Sequence, residues 1–378
     1  MNILTISSFG MYADYTLSFI HNQNKAFVRQ GHRVRALILI AAGKASYDGR
    51  RFGSAVEFRK QDGVELCYVR YFSMSSYGPQ FFNQRSAAFF SRLHAAKIMR
   101  DFSPDVIHAS AVDLGGPVGV YLKKQCGAPL VLTTLGSDTT VTIQRGGSEW
   151  LRKYCDQADY LTANSYSLLE NYERIHTKTP RTCIISGFEI ENLCECSKIR
   201  HHVVQVGFLV PSKHNDYTLR AVAALRKQYP DITLTIVGSG SEEANLRELC
   251  NTLDISECVH FTGRLSNKDT LAEMAAAEIF IMPSYPEGLG IVYLEAMASG
   301  CVVIGTQGEG ISGVVSHGES GFLVPRDDID TIVQWVDRCF RDPPLMQRVA
   351  CAGKSIARSL TWDHNAEQYV KLFKELCS

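Results

Sequence analysis

The sequence lacks the features that mark exported, membrane-spanning and zinc-ribbon proteins. It has no basic leader with a cleavage signal, and its longest apolar run, residues 36–42, is far shorter than the roughly 20 residues of a spanning helix. None of its 12 cysteines forms a C-x-x-C pair, which excludes the usual zinc ribbon. We therefore expect a cytoplasmic protein with free, mostly buried thiols.

The composition is that of a soluble globular protein. Hydrophobic residues make up 45% and charged residues 21% of the 378 positions, which excludes a disordered or collagen-like chain. This length is more than one core usually holds, so two domains are expected. The net charge is zero, but the first 100 residues carry 14 Lys and Arg against five Asp and Glu, a net charge of +9. That imbalance fits either an anionic partner or a solvated basic face.

Short apolar segments rich in β-branched residues alternate with longer amphipathic segments along the chain. This alternation predicts parallel sheets covered by helices on both faces. The pattern stops at the polar residues 191–201, so we predict an α/β protein with two Rossmann-like, doubly wound domains, residues 1–190 and 202–360, facing a cleft. Residues 361–378 predict a further amphipathic helix that packs back on the N-terminal domain. In the first domain, strands are predicted at Ile3–Ser7, Val34–Ile40, Val64–Tyr71, Asp105–Ala109, Leu130–Thr134, Tyr160–Ala163 and Cys183–Ile185.

The most informative segment is Pro283–Gly300, with the sequence PSYPEGLGIVYLEAMASG. It follows a predicted strand, passes Gly288 and Gly290, and enters a helix. Glycines at a helix N-terminus let a phosphate approach the backbone N–H groups, and the helix dipole favours the negative charge. Glu287 and Glu295 lie roughly 12 Å apart if helical spacing holds, which suits a ligand with a sugar at each end of a diphosphate.

Two glutamates eight residues apart around Glu-Gly-Leu-Gly resemble the signature of glycosyltransferase family 4, which are retaining enzymes of the GT-B fold. Further motifs that resemble the family occur in its order: VGFLVPSK at 206–213, VGSG at 237–240, FTGR at 261–264 and GESGFLVP at 318–325, preceded by GHRV at 31–34, PDVIH at 104–108, GSD at 136–138 and SGFE at 186–189. The resemblance covers nearly the whole chain, strongly in the C-terminal half and loosely in the first 80 residues. It implies sugar transfer from a nucleotide-diphosphate sugar to a glycan or lipid-linked acceptor, and bacterial polysaccharide biosynthesis as the setting.

The same resemblance implies roles for individual residues. Glu287 would lie at the transferred sugar, Glu295 would bind the ribose hydroxyls, and Lys213 would neutralise the diphosphate, where negative charge grows as the glycosidic bond breaks. Further donor-binding candidates are Gly288, Leu289, Gly290, Arg264, Leu265 and Gly10. The nucleotide sugar is a co-substrate, and no cofactor and no metal are expected. The Asp-x-Asp at 328–330 is better explained by acids in the first turn of a helix.

Two positions depart from the family pattern. Phe208 stands where the family usually has a cation, and Leu135 stands where it often has a histidine. Either Lys213 and the helix N-terminus suffice to bind the diphosphate, or the chain is a catalytically impaired binding partner in a glycosyltransferase complex. On the acceptor side, His108 is either a base or a packed or hydrogen-bonded structural residue, and Asp138 either contacts the acceptor or orients its loop.

Residues 68–102 combine aromatic and basic side chains. Such a surface suits an anionic membrane, so we predict a peripheral association with the inner face of the plasma membrane through this segment. The alternative is that Phe89, Leu93, Ala96 and Met99 form the core face of a helix predicted over Gln84–Arg100. No nucleic-acid recognition motif is present, so no nucleic-acid partner is expected.

Overall fold

A computed structural model describes residues 1–8, 19–42, 56–74, 81–191 and 193–378. The chain folds into two compact units. The first unit comprises Met1–Gly187 together with Trp362–Ser378, and the second comprises Phe188–Thr361. Gly10 lies outside the described residues.

The first unit is built on a mostly parallel sheet. Its strands are β1 (Asn2–Ser8), β2 (Arg33–Ala42), β3 (Val56–Gln61), β4 (Val64–Phe72), β5 (Val106–Ser110), β6 (Leu130–Thr134), β7 (Tyr160–Ala163) and β8 (Arg181–Cys183). Its helices up to the second unit are α1 (Phe19–Arg29), α2 (Phe82–Leu93), α3 (Ala95–Ile98), α4 (Val112–Cys126), α5 (Ser137–Gln144), α6 (Ser148–Cys155) and α7 (Tyr166–Arg174). The strand order is β3-β4-β2-β1-β5-β6-β7-β8. Among the described pairings only β3 with β4 is antiparallel.

Strand β3 is absent from the sequence prediction. Its residues Phe58–Gln61 are all exposed, so they lack the apolar alternation that predicts a strand. It pairs with β4 through a hairpin at Asp62 and Gly63, whose φ angles are +50° and +81°. Asp-Gly between two strands is a strong hairpin signal, and it could have located β3.

The helix predicted over Gln84–Arg100 is also corrected. The chain forms α2 and α3 in its place, because the backbone leaves the helical region at His94, with φ −111° and ψ 11°. Phe89 and Leu93 are 59% and 63% exposed. The alternative that they form a core face is therefore wrong for these two residues.

The second unit is built on a parallel sheet among its described residues. Its strands are β9 (His202–Val206), β10 (Thr233–Val237), β11 (Val259–Gly263), β12 (Ile279–Met282), β13 (Val302–Thr306) and β14 (Phe322–Val324). Its helices are α8 (Asn215–Arg226), α9 (Glu243–Thr252), α10 (Asn267–Ala276), α11 (Ile291–Ala298), α12 (Ile329–Arg341) and α13 (Pro343–Ser359). The order β11-β10-β9-β12-β13-β14 is the doubly wound order, which reverses between β9 and β12. The two units confirm the predicted α/β class of two parallel-sheet domains.

Helix α14 (Trp362–Cys377) follows the second unit in sequence but packs in the first. The Tyr369 hydroxyl lies 3.0 Å from Thr162 Oγ1 and 3.2 Å from Thr133 Oγ1, on two neighbouring strands. The rings of Phe27 on α1 and Phe373 on α14 pack with their centroids 5.9 Å apart. This helix therefore completes the core of the first unit. None of the described helices, α14 included, is both long and apolar enough to cross a membrane.

Candidate active site

Lys213 and Glu287 meet at the point where the strand order of the second sheet reverses. Lys213 ends a short 3-10 turn, Pro211–Lys213, after β9, and Glu287 lies in the loop between β12 and α11. The Lys213 ammonium donates directly to the Glu287 carboxylate, and both side chains are largely buried. Ser284 Oγ donates to the same carboxylate oxygen at 3.2 Å. In doubly wound sheets the carboxyl ends of strands at such a reversal are where ligands bind.

The two loops that carry this ion pair are fastened to each other next to it. The N–H of Tyr285 donates to the carbonyl oxygen of Ser212 at 3.0 Å. The rings of His214 and Tyr285 stack with centroids 3.9 Å apart and an interplanar angle of 15°. The hydroxyls of Tyr217 and Tyr285 both donate to the Asp327 carboxylate. These contacts fix the positions of Lys213 and Glu287 without using either side chain.

The N-terminus of α11 lies three residues after Glu287. Gly290 is its N-cap, with φ +72°, and a Cβ there would come within 2.8 Å of the Tyr293 ring, so glycine is required. Within the described residues, no side chain caps this helix. The side chain of Leu289 is 2% exposed and packs inward, which leaves only its backbone, with that of Gly288 and Gly290, as a candidate for ligand contacts.

Glu295 lies in the second turn of α11. Burial raises the pKa of its carboxyl to about 7, the hydrogen bond from Asn267 lowers it, and the charge of Glu189 raises it further. Asn267 Nδ2 donates to Glu295 Oε1 at 3.2 Å. A carboxyl with this pKa is about half protonated at neutral pH. Ligand hydroxyls that donate hydrogen bonds to it would stabilise its ionised form.

Arg264 and Leu265 directly follow β11, so they lie at the same carboxyl edge of the sheet as Lys213. Arg264 is exposed and Leu265 is partly buried. Phe208, at the family's cation position, is 44% exposed just after β9. The Phe208 ring carries no positive charge. In the loop after β9, the predicted cation for a diphosphate is therefore Lys213.

Asp138 of the first unit orients its own loop. Its carboxylate accepts hydrogen bonds from the N–H groups of Val112, Leu135 and Gly136 at 2.8, 3.0 and 2.8 Å, and from Thr134 Oγ1 at 3.1 Å. Burial raises its pKa, and these four donors act in the opposite direction. Of the two roles considered for Asp138, this geometry supports the orienting one.

His108 is enclosed in the core of the first unit. Its ring packs 4.5 Å from that of Tyr369, and its Nε2 lies 2.7 Å from Thr133 Oγ1. Burial lowers its pKa to about 3, so the ring is neutral at physiological pH. A side chain 1% exposed is placed to pack rather than to meet an acceptor from solvent.

Ser284, His214 and Glu309 belong to the site, although no sequence motif predicts them. Glu309 accepts a hydrogen bond from the N–H of Glu287 at 2.7 Å and pairs with Arg326. No spacing rule links these positions, since they lie in loops that follow different strands. Asp328 caps α12 by accepting from the N–H of Thr331 at 2.9 Å. Among the described residues, no three His, Cys, Asp or Glu side chains are grouped so as to hold a metal.

Comparison with known proteins identifies the family. The family model described as Glycosyltransferase Family 4 matches residues 18–188, and that described as Glycosyl transferases group 1 matches residues 198–356. The chain is similar to a D-inositol 3-phosphate glycosyltransferase of Corynebacterium jeikeium, with 30% identity over 312 residues, 72% of this chain and 73% of that protein. It is also similar to an uncharacterized glycosyltransferase of Haemophilus influenzae, with 34% identity over 173 residues, 46% of this chain. That match spans 47%, about half, of the relative's length.

A solved structure shows the same fold. Anabaena HepE, crystallised in complex with UDP, superposes with a TM-score of 0.77 at 17% identity, covering 99% of this chain and 100% of that one. At this identity the likeness concerns the fold alone, and that fold is the predicted GT-B fold. The two family models and the relative from Corynebacterium jeikeium show that the chain belongs to glycosyltransferase family 4, the glycosyl transferases of group 1.

Proposed function

We propose that the protein transfers a sugar from a nucleotide-diphosphate sugar to a glycan or lipid-linked acceptor, with retention of anomeric configuration. The observation that carries this proposal is the Lys213–Glu287 ion pair beside the glycine-rich N-terminus of α11. A lysine and a helix N-terminus together supply the positive charge that a diphosphate needs. The UDP bound to Anabaena HepE supports a nucleoside diphosphate as the ligand class.

In the proposed mechanism the Lys213 ammonium leaves its ion pair with Glu287 and binds the diphosphate of the donor. Lys213 then stabilises the negative charge that develops on the leaving phosphate, and the freed Glu287 carboxylate faces the transferred sugar. Glu295 accepts hydrogen bonds from the ribose hydroxyls. The acceptor hydroxyl attacks from the face that the phosphate leaves, and the leaving phosphate takes its proton. Lys213 and the α11 N-terminus take the charge-neutralising role that a metal has in other transferases, so we propose a metal-independent reaction.

The test is sugar transfer by the purified protein. A panel of nucleotide sugars is first screened by thermal shift, because a donor that binds the folded state raises its melting temperature. Transfer and donor hydrolysis are then followed with the best donor, with and without EDTA, and NMR reports the product anomer. Glu295→Ala should weaken donor binding, whereas Glu287→Ala should chiefly lower turnover. Equal, negligible effects of the two changes contradict the assignment.

The alternative, a catalytically impaired binding partner of a glycosyltransferase complex, is favoured by Phe208 and Leu135. Phe208 gives the diphosphate no cation, and Leu135 has no imidazole with which to form a polar contact. This alternative predicts donor binding without transfer or hydrolysis. Restoring a cation with Phe208→Arg would then tighten donor binding but leave turnover undetectable.

We also propose that the first unit docks on an anionic membrane through α2 and α3. Exposed side chains at 85, 89, 92 and 93 follow helical spacing, so Arg85, Phe89, Arg92 and Leu93 share one face of α2, and Ala96 is exposed on α3. The sequence from 66 to 100 contains no Asp or Glu, so no negative charge within it opposes an anionic lipid. Basic side chains around exposed Phe and Leu are the composition that binds an anionic interface.

Vesicle sedimentation tests this docking. We expect the protein to sediment with phosphatidylglycerol-containing vesicles and not with phosphatidylcholine alone, and Phe89→Ser with Leu93→Ser to abolish binding. Tyr166→Ser with Ile199→Ser is the matched control, because those side chains are 56% and 54% exposed elsewhere. Binding that does not depend on anionic lipid, or an equal loss in the control, would overturn the docking proposal.

A further inference from the structure

The loop that carries Glu287 is held by the loop after β13. Glu309 lies in that second loop, and its side chain is only 6% exposed. Its Oε2 accepts a hydrogen bond from the N–H of Glu287 at 2.7 Å, and its Oε1 pairs with the guanidinium of Arg326. A hydrogen bond to an ionised acceptor is stronger than one between neutral groups. The Glu309 carboxylate is thus bound by one backbone donor and one cation.

The neighbouring residue makes the reciprocal contact. The N–H of Gly310 donates to the carbonyl oxygen of Glu287 at 3.2 Å. A Cβ on Gly310 would lie 1.7 Å from the carbonyl oxygen of Gly288, so only glycine permits this approach. Both backbone polar groups of Glu287 are therefore bound by two consecutive residues, Glu309 and Gly310. This geometry defines the direction in which the Glu287 side chain leaves the backbone.

The Glu287 carboxylate itself bonds to Lys213 and Ser284, not to Glu309. Glu309 therefore acts on the ion pair through the Glu287 backbone. Arg326 also lies over the Tyr285 ring, with its guanidinium carbon 5.2 Å from the ring centroid. The same arginine thus contacts both Glu309 and the residue that stacks on His214.

We propose that Glu309 is a positioning residue, whose carboxylate fixes the Glu287 backbone so that the Glu287 side chain meets Lys213 and, in turn, the donor. This inference rests on the proposed function for the role of Glu287. It predicts that loss of the Glu309 carboxylate lowers turnover more than it lowers donor affinity, because a misplaced group affects the reacting geometry most. The conservative change Glu309→Gln keeps an acceptor oxygen for the Glu287 N–H.

The first measurement needs no activity. Backbone hydrogen exchange of the segment 284–290 is followed in the wild type, Glu309→Ala, Glu309→Gln and a control, Asp342→Ala. Asp342 also accepts a backbone hydrogen bond, from the N–H of Leu345 at 3.0 Å, but at the start of α13. We expect about tenfold faster exchange of 284–290 in Glu309→Ala, less than about threefold in Glu309→Gln, and no change there in Asp342→Ala.

The second measurement is the transfer assay on the same variants. Glu309→Ala should lower kcat about ten- to hundredfold with the donor KM within about threefold, and Glu309→Gln should recover most of kcat. Unchanged exchange at 284–290, or faster exchange with unchanged kcat, overturns the inference. So does an equal kcat loss in Asp342→Ala. A wild type that transfers no sugar instead contradicts the proposed function, and the exchange data then still decide whether Glu309 holds the Glu287 segment.

Discussion

Lys213 donates to the carboxylate of Glu287 across 74 residues of sequence, from the loop after β9 to the loop after β12. In this arrangement each side chain neutralises the other before any ligand arrives. A bound diphosphate would compete with Glu287 for the same ammonium. Binding of the anion and release of the Glu287 carboxylate are therefore linked.

This competition predicts tighter anion binding when the carboxylate loses its charge. In Glu287→Gln we expect inorganic pyrophosphate to bind about three- to tenfold more tightly, because Lys213 is no longer held by an anion. Sugar transfer should fall in the same variant. Isothermal titration measures the affinity, and pyrophosphate makes the result independent of the donor's base.

Glu257→Gln is the matched control, because Glu257 pairs with Arg226 at the surface of the second unit. It should leave pyrophosphate affinity unchanged. Weaker binding in Glu287→Gln would show that the carboxylate supports the anion site rather than competing with the anion.

The ionisation of Glu295 should make the affinity for the donor depend on pH. Its pKa is raised to about 7 mainly by burial, and the ionised form is the better acceptor of ribose hydroxyls. About one tenth of such groups is ionised at pH 6 and about nine tenths at pH 8, so donor affinity should rise about tenfold over this range. Titrations across these pH values measure the slope, and Glu295→Gln should bind weakly with a much flatter profile. An equal slope in Glu295→Gln would assign the titration to another group.

Asp138 predicts a stability effect in the first unit. Asp138→Ala leaves buried N–H donors at Val112 and Gly136 without their acceptor, which should cost about 2–5 kcal/mol of unfolding free energy. Chemical denaturation measures the loss, and Glu170→Ala, at an exposed carboxylate of the same unit, should change it by less than about 0.5 kcal/mol. A folded Asp138→Ala protein of wild-type stability but altered acceptor KM would favour the acceptor role instead.

Because α14 packs in the first unit, a substitution in its buried face should destabilise that unit. Phe373→Ala removes a fully buried ring that packs on Phe27, which should cost about 3–5 kcal/mol in the first unit. Thermal unfolding with and without donor separates the units, since a donor bound to the second unit should still raise its transition. Phe89→Ala is the control, because that ring is mostly exposed. If Phe373→Ala abolished donor binding in a protein that remained folded, the donor site would depend on the first unit.

The sequence singled out Lys213 and Glu287 separately, but it did not predict that their side chains form an ion pair. Glu287 could be singled out because a glycine-rich helix N-terminus and its flanking acids have a recognisable spacing, whereas Lys213 was indicated by the resemblance to the family alone. Glu309 and His214 could not, since their roles depend on which loops meet at the carboxyl edge of the sheet, and that follows from strand order. The break at His94 was missed because apolar periodicity continues through it, and β3 was missed because its exposed residues carry no such periodicity.

Because α14 lies in the first unit, the two segments of that unit, Met1–Gly187 and Trp362–Ser378, are synthesised at separate times. A nascent chain that has reached Gly187 lacks the helix that covers His108, and the whole second unit is synthesised before Trp362 emerges. The synthesis of the first unit is thus completed only after that of the second unit. Until then, the apolar side chains that α14 covers, Phe27 among them, have no helix packed on them.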